Sequence, residues 1–179
     1  MSSRRVEAYV SFLCVLFALS AQATMVRQMD LAQMAESAGL IFRGTVVEIA
    51  KGSVNAGGGA IPTITYQIKV TEQLKGTFPA ASAGQVIVSI KSVDIKAIEL
   101  PRLVMGQDYL LLTTRPSSVG LSTMVGLGQG MFRVYGGPHA ELAVNSSNNA
   151  GLANGLRGPA PYKDLVDRIQ SIVRRGSKQ

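Results

Sequence analysis

The stretch Thr63-Ile64-Thr65-Tyr66-Gln67-Ile68-Lys69-Val70 decides the fold, because apolar and polar side chains alternate along it. Every second residue, from Ile64 to Val70, is apolar. A period of two places successive side chains on opposite faces of a β-strand. The stretch therefore predicts a strand with one buried face, running to Leu74 and closed by Lys75-Gly76.

A second strand is predicted upstream, over Leu40-Ile41-Phe42-Arg43-Gly44-Thr45-Val46-Val47-Glu48-Ile49, because the segment is rich in β-branched residues. Gly44 inside it indicates a bulge or a sharp coil. Between the two strands, Lys51–Ala60 is rich in glycine, which predicts a flexible exposed loop joining a hairpin. It lacks the Lys-Ser/Thr pair of a phosphate-binding loop.

Four more strands are predicted downstream, over Gln85–Lys91, Tyr109–Thr114, Met131–Tyr135 and Leu142–Asn145. The second of them is continuously apolar, which is typical of a strand covered on both faces. The segment that follows the last strand, residues 146–160, is full of Asn, Gly and Pro and predicts a loop or linker.

Helices are predicted at both ends of this β-rich region. Over Met25–Ala38, apolar residues recur at spacings of three and four, with Asp30 as N-cap and Gly39 as the stop. A second, amphipathic helix is predicted over residues 161–179. Acidic residues lie in its first turns and basic residues in its last, which complements the helix dipole.

These elements predict a β-rich (α+β) fold, a small OB-like Greek-key barrel of five to six strands with a short N-terminal helix and a C-terminal amphipathic helix. Short strands leave exposed edges unless the sheet closes, so closure is the economical arrangement. The predicted organisation is a cleaved leader at 1–23, a barrel at 24–145, a linker at 146–160 and a helix at 161–179.

Four segments carry a family resemblance: Gly39–Val47, Thr65–Gly76, Met105–Leu111 and Val125–Val134. In this order they resemble a group of exported bacterial proteins of unknown function. The layout is similar to the OB-like barrel of the metalloproteinase-inhibitor and netrin-module class, including the turn Leu74-Lys75-Gly76. The resemblance implies a barrel fold and a bias toward binding macromolecules, which is a fold-level analogy.

Cysteine content separates this chain from the animal inhibitors of that class. Those inhibitors place the amine and carbonyl of an N-terminal cysteine on the protease zinc. Here the single cysteine, Cys14, lies in the leader, and the predicted mature start is Thr24. The inhibitory mechanism therefore does not carry over by residue, and thiol chemistry is excluded from the predicted mature protein.

The leader itself has the order of a secretory signal peptide. Arg4 and Arg5 precede an apolar run of about ten residues, where a membrane-spanning helix needs about 20. Ser20–Ala23 then supplies an Ala-x-Ala cleavage site. We expect cleavage after Ala23 and a periplasmic or secreted location; a retained anchor is the alternative.

The charge of the chain limits its partners. The formal net charge is +7, and the basic residues are scattered except near the C-terminus. Scattered charge is typical of a solvated surface, with a weak attraction for anionic membrane surfaces through the C-terminal helix as the alternative. Nucleic acid is disfavoured because the mature chain has no aromatic-studded basic stretch.

Few residues suggest catalysis. His139, the sole histidine, follows a Gly-Gly-Pro turn, and Ser122 lacks the second glycine of a nucleophile elbow. Asp94 and Glu99 could face each other across a bend, as a glycosidase would need, but solvated acids are the simpler interpretation. Gly126–Gly130 precedes a strand, so it indicates a turn and not a dinucleotide loop. No catalytic, cofactor-binding or metal-binding residue is assigned.

The sequence therefore favours an exported, non-enzymatic binding module for a protein or polysaccharide partner. One alternative is an accessory protein or inhibitor of an exported protease, suggested by the resemblance alone. A hydrolase that uses the carboxylates or His139 is a second alternative, and an envelope-associated role through the C-terminal helix is a third.

Overall fold

The computed structural model describes residues 27–95, 101–137, 140–152 and 157–176. This part of the chain folds into one seven-stranded antiparallel sheet with two helices, which confirms the β-rich prediction. The elements are α1 (Leu31–Ser37), β1 (Leu40–Ala56), β2 (Gly59–Lys75), β3 (Ile87–Val93), β4 (Asp108–Thr113), β5 (Met131–Tyr135), β6 (Leu142–Asn145), β7 (Ala160–Pro161) and α2 (Tyr162–Gly176). The strand order is β3-β2-β1-β4-β5-β6-β7.

The predicted closure into a barrel is wrong, because the sheet is open and β3 and β7 are its two edges. The ladder beyond β4 continues into β5, β6 and β7 and does not return to β3. Each edge strand is protected against pairing with another chain by a means other than closure of the sheet. β7 has only two residues, and β3 receives a backbone hydrogen bond of 2.8 Å from Ser122 N to Lys91 O.

Apolar side chains form a core on each face of the sheet. In β4, Leu110 and Leu112 face the helices, whereas Tyr109 and Leu111 face the core on the other side. All four side chains are at most 3% exposed. The prediction of a strand covered on both faces is therefore confirmed, with Leu103 and Met124 among the residues that cover the second face.

The hairpin between β1 and β2 differs from the predicted flexible loop at Lys51–Ala60. Both strands continue to a two-residue turn at Gly57-Gly58, whose φ angles are 62° and 83°. Two positive φ angles are what a type I′ turn requires, and this turn matches the twist of the strands. The glycines therefore make a tight turn at the end of a long hairpin.

Helix α1 begins later than predicted, at Leu31, but its N-cap is confirmed. Asp30 accepts a hydrogen bond from Gln33 N, and the Gln33 side chain accepts one from Asp30 N. At the other end, Lys75 Nζ donates to the carbonyl oxygen of Ala35 at 2.7 Å. The Leu74-Lys75-Gly76 turn therefore satisfies the C-terminal end of α1.

Helix α2 agrees with the predicted C-terminal helix within the described residues. Leu165, Val166 and Ile169 are buried in the helix-side core, while Arg174 and Arg175 lie exposed in the last turn. The buried stripe faces protein and not solvent, so any contact with an anionic surface would involve the charged side. In the ranges that the structure describes, no helix is long and apolar enough to cross a membrane.

Gly44 is the bulge position that the sequence predicts, since the β1–β2 register shifts between Arg43 and Gly44. A Cβ there would lie 2.5 Å from the backbone oxygen of Lys69. Because backbone cannot rotate away, we expect Gly44→Ala to lower the free energy of unfolding by about 1–3 kcal/mol in urea titrations. Gly59→Ala is the control, since nothing lies within 4 Å of its Cβ. Equal stability of the two variants would contradict this account.

Candidate functional site

A groove lies beside the end of β3, where the strand meets the segment that leads into β5. We call it the β3 groove; its volume is about 270 Å³. A smaller recess of about 50 Å³ shares part of its wall. The groove is lined mainly by aliphatic and hydroxyl side chains, including Ser92, Val93, Ile95, Leu121, Thr123 and Leu127.

Leu127 forms the lip of the β3 groove in an unusual backbone conformation. Gly126, Leu127 and Gly128 have φ angles of 66°, 55° and 104°. Left-handed backbone is unfavourable for leucine, so the surrounding turn holds it there. Leu127 is 55% exposed, and Ile95, which also lines the groove, is 39% exposed. The turn therefore presents an apolar side chain to solvent at the rim of a groove.

Polar groups line the adjoining recess. Asp94 Oδ1 accepts a hydrogen bond from Arg102 Nη2 at 2.7 Å, and only 10% of the Asp94 side chain is exposed. Burial raises the pKa of the Tyr66 hydroxyl, which the nearby Arg102 partly offsets. Tyr66 is therefore a neutral hydrogen-bonding group at neutral pH. The recess joins a neutral hydroxyl and an ion pair to an apolar groove, an arrangement common in binding sites.

Several residues that the sequence singles out converge here. Asp94 lines the recess, Ser122 lies in the groove wall, and Gly126–Gly130 forms the turn that carries Leu127 and leads into β5. The prediction of a turn at this glycine-rich segment is confirmed. Glu99 and His139 lie outside the described residues, so their proposed roles stay predictions.

Ser122 acts mainly through its backbone. Its N–H donates to Lys91 O, and its carbonyl oxygen accepts a hydrogen bond of 2.7 Å from Ser92 Oγ. Thr114 N also donates to Thr123 O at 2.8 Å. The segment 121–124 is thereby fixed between β3 and the end of β4, and this attachment forms the groove wall.

Local sequence patterns did not predict two features, the apolar rim of the groove and a second polar cluster. A leucine between two glycines was the available signal for Leu127. The polar cluster is centred on Arg43, the one charged residue in the first eight positions of β1. Arg43 donates from Nε to Asp108 Oδ2 at 2.7 Å and from Nη1 and Nη2 to Glu141 at 2.8 and 2.6 Å.

Aromatic and acidic groups complete the Arg43 cluster. The guanidinium carbon lies 4.6 Å from the centre of the Tyr162 ring, and Tyr162 donates its hydroxyl proton to Glu72 at 2.6 Å. Arg43 lowers the pKa of Glu141 by hydrogen bonding, and burial raises the pKa of Tyr162. The cluster joins β1, β2 and β4 to the start of α2, so we assign it to fold stability.

One other cavity offers less to a ligand. A cavity of about 740 Å³ lies between α1 and α2, but its apolar floor residues Leu31 and Leu152 are each only 3% exposed. Arg168 and Arg175 line it together with Asp30 and Asp167. Among the described residues, no group of three or more His, Cys, Asp or Glu side chains is placed to hold a metal ion.

No protein-family model matches the chain, and no curated protein matches it either. The resemblance to the metalloproteinase-inhibitor and netrin-module class therefore stays a prediction.

Proposed function

We propose that this chain is an exported, non-enzymatic binding module whose β3 groove takes an apolar side chain of an extended protein segment. The main support for this proposal is the exposure of Leu127. The left-handed turn holds this side chain at the rim of the groove, where it is 55% exposed. An exposed apolar side chain fixed on a rigid turn loses little entropy when a partner covers it. Export rests on the predicted leader at 1–23.

The groove favours a protein segment over a polysaccharide. Four of its eight lining residues are aliphatic, Val93, Ile95, Leu121 and Leu127, and the surface that the groove exposes is mostly apolar. Apolar side chains of a peptide would bury this surface, whereas a polysaccharide would need more hydrogen-bonding groups. Ser92 and Thr123 can supply a few hydrogen bonds for orientation.

An OB-like relationship of the sheet is also part of this proposal. The segment 121–124 bonds to both β3 and β4, which supports a sheet curved toward closure. The relationship rests on these few hydrogen bonds.

Leu127→Asn tests the proposal directly, because asparagine tolerates left-handed backbone and removes the apolar lip. Peptides selected from a random library on the wild-type protein serve as probes. We expect the variant to bind them about tenfold more weakly, as loss of about 1.4 kcal/mol of apolar burial implies. Fluorescence anisotropy with labelled peptides measures the affinities.

Val104→Asn is the matched control for this experiment. Val104 is also 55% exposed but lies outside the groove. The affinity of Val104→Asn for the same peptides should stay within about twofold of the wild type. This variant removes an equally exposed apolar side chain, but one that lies outside the groove. Failure to select any peptide, or equal losses in both variants, would count against a binding groove at Leu127.

A further inference from the structure

The outer part of the β1–β2 hairpin has a free edge. β1 pairs with β4 only from Leu40 to Thr45, and Val46 then bonds to the loop residues Gly106 and Gln107. Across its other side, β1 pairs with β2 as far as Ala56. In the part of the chain that the structure describes, nothing pairs with the outer side of residues 48–56.

The hairpin register decides which backbone groups point outward. Ala56 and Gly59 flank the two-residue turn, so they form a hydrogen-bonded pair. Alternate residues toward Glu48 then bond to β2 as well. The residues between them, Ile49, Lys51, Ser53 and Asn55, direct their N–H and C=O groups to the free edge.

This edge lacks most of the devices that prevent strand addition. Natural edges carry charges, prolines or bulges, whereas residues 48–56 contain no proline and only two charged side chains, Glu48 and Lys51. No charged residue occurs between Lys51 and Lys69. An apolar patch of Val47, Val104 and Met105, each about half exposed, lies at the base of the edge.

The hairpin end also buries almost nothing of its own. Residues 50–60 are exposed or half-exposed throughout, although their backbone is ordered as strand and turn. Ordering costs about 1–2 kcal/mol per residue, and an isolated two-stranded hairpin is marginal in water. A third strand on the free edge would supply the missing pairing.

We propose that this third strand is β1 of a second copy of the chain, paired antiparallel across a two-fold axis at Gly52. A two-fold dimer needs an edge that is complementary to itself. Gly52 is the midpoint of 48–56, so this register pairs the whole free edge. A two-fold axis at Ala50 would extend the pairing into the residues that contact Val46, and an axis at Val54 would extend it into the turn. Either axis would pair only about half of the free edge.

The pairing is self-consistent in hydrogen bonding and charge. Ile49 lies opposite Asn55 of the other copy, and Lys51 lies opposite Ser53, so all four outward-pointing residues find partners. Lys51 faces a neutral residue directly. Because the interface is short, it falls in the small class below about 1,200 Å², and we expect a weak dimer.

Ser53→Pro tests the dimer by removing one outward N–H. Pro62 already occupies the position opposite Ser53, so a missing N–H there leaves the β1–β2 ladder intact. Sedimentation velocity over a concentration series should show a dimer for the wild type and for Ser53→Ala. Ser53→Pro should raise the dimer dissociation constant at least about tenfold, as loss of paired edge bonds implies. A wild type that stays monomeric would overturn the proposal.

Disulfide cross-linking tests the register, including the case in which Ser53→Pro disturbs the hairpin. With Cys14→Ser as background, Gly52→Cys places two thiols on the two-fold axis. They form a non-hydrogen-bonded pair with Cα atoms about 4.5 Å apart, within disulfide range. Ala50→Cys is the control, because its two copies lie roughly 13 Å apart in this register. Gly52→Cys should cross-link at least about tenfold faster; equal rates would overturn the proposed axis.

Discussion

Arg43→Met is expected to lower the free energy of unfolding by about 3–5 kcal/mol, because it leaves two partly buried carboxylates without their cation. Asp108 and Glu141 are only 25% and 30% exposed, and Arg43 is the basic partner of both. Asp108 Oδ1 is already buried without a hydrogen-bond partner among the described residues. Urea unfolding followed by circular dichroism measures the loss.

An exposed ion pair provides the control for this variant. Lys163 and Asp167 form an i,i+4 pair on α2 whose side chains are 82% and 58% exposed. Lys163→Met should change the stability by less than about 0.5 kcal/mol, because solvent screens such pairs. A loss in Arg43→Met as small as this control would show that the Arg43 cluster is not needed for the fold.

The pH dependence of the stability difference between the wild type and Arg43→Met gives an independent check. Hydrogen bonding to Arg43 holds the pKa of Glu141 below its ordinary value of 4.5. A carboxyl group whose pKa is lowered by folding stabilises the folded protein, and this stabilisation is fully present above the pKa of the unfolded state. It is lost as the pH falls through the pKa of the folded state. The gap between wild type and Arg43→Met should therefore be full at pH 7 and shrink below about pH 4.5.

Arg43→Met could lose stability because two carboxylates are left unpaired or because the contact with the Tyr162 ring is lost. A triple variant separates these two causes. If the unpaired carboxylates are the cause, Arg43→Met with Asp108→Leu and Glu141→Met should recover much of the stability. Apolar residues of similar size can replace a buried ion network without loss in other proteins. No recovery would place the effect on the contact between Arg43 and the Tyr162 ring instead.

Local patterns predicted the elements of this fold well, because periodicity and capping depend on neighbouring residues. The alternation of Ile64, Tyr66 and Ile68 places all three in the core, and Asp30 caps α1 as expected. The apolar run at Tyr109–Leu112 is covered on both faces. These features need no knowledge of distant parts of the chain.

Pairing between distant residues leaves no local signal in the sequence. Arg43 and Glu141 are 98 residues apart, and nothing near either residue indicates the other. The strand order also depends on long-range pairing. Because β4 pairs with β1 and β5, and the ladder ends at β7 without returning to β3, the sheet is open. Lys51–Ala60 is exposed and connects a hairpin as predicted, but it is strand and a tight turn instead of a flexible loop. Glycine is common in both kinds of structure, so composition alone does not distinguish them.

The candidate site follows the same division. The turn at Gly126–Gly130 and the acidic Asp94 could be found from their residue types. Their meeting at the end of β3, and the position of Leu127 between them, depend on the tertiary contacts of Ser122 with β3. Sequence patterns can therefore name pieces of the groove but not the groove.

The segment after β6 is held by reciprocal hydrogen bonds between Asn145 and Asn149. Asn149 is fully buried. Its Oδ1 accepts from Asn145 N at 2.9 Å, and its Nδ2 donates to the carbonyl oxygens of Ala143 and Gly158, both at 2.9 Å. One side chain thereby joins β6, the following turns and the approach to β7.

Asn149→Ala should lower the free energy of unfolding by about 3 kcal/mol or more, since each buried polar group left unpaired costs about 1–3 kcal/mol. Left-handed backbone adds to the cost, because Asn149 has a φ of 58°. Asn148→Ala isolates the side-chain bonds: Asn148 has a φ of 53° but is exposed, and its bonds here come from its backbone. We expect it to lose only about 1 kcal/mol. Equal losses in the two variants would assign the effect to the backbone angle alone.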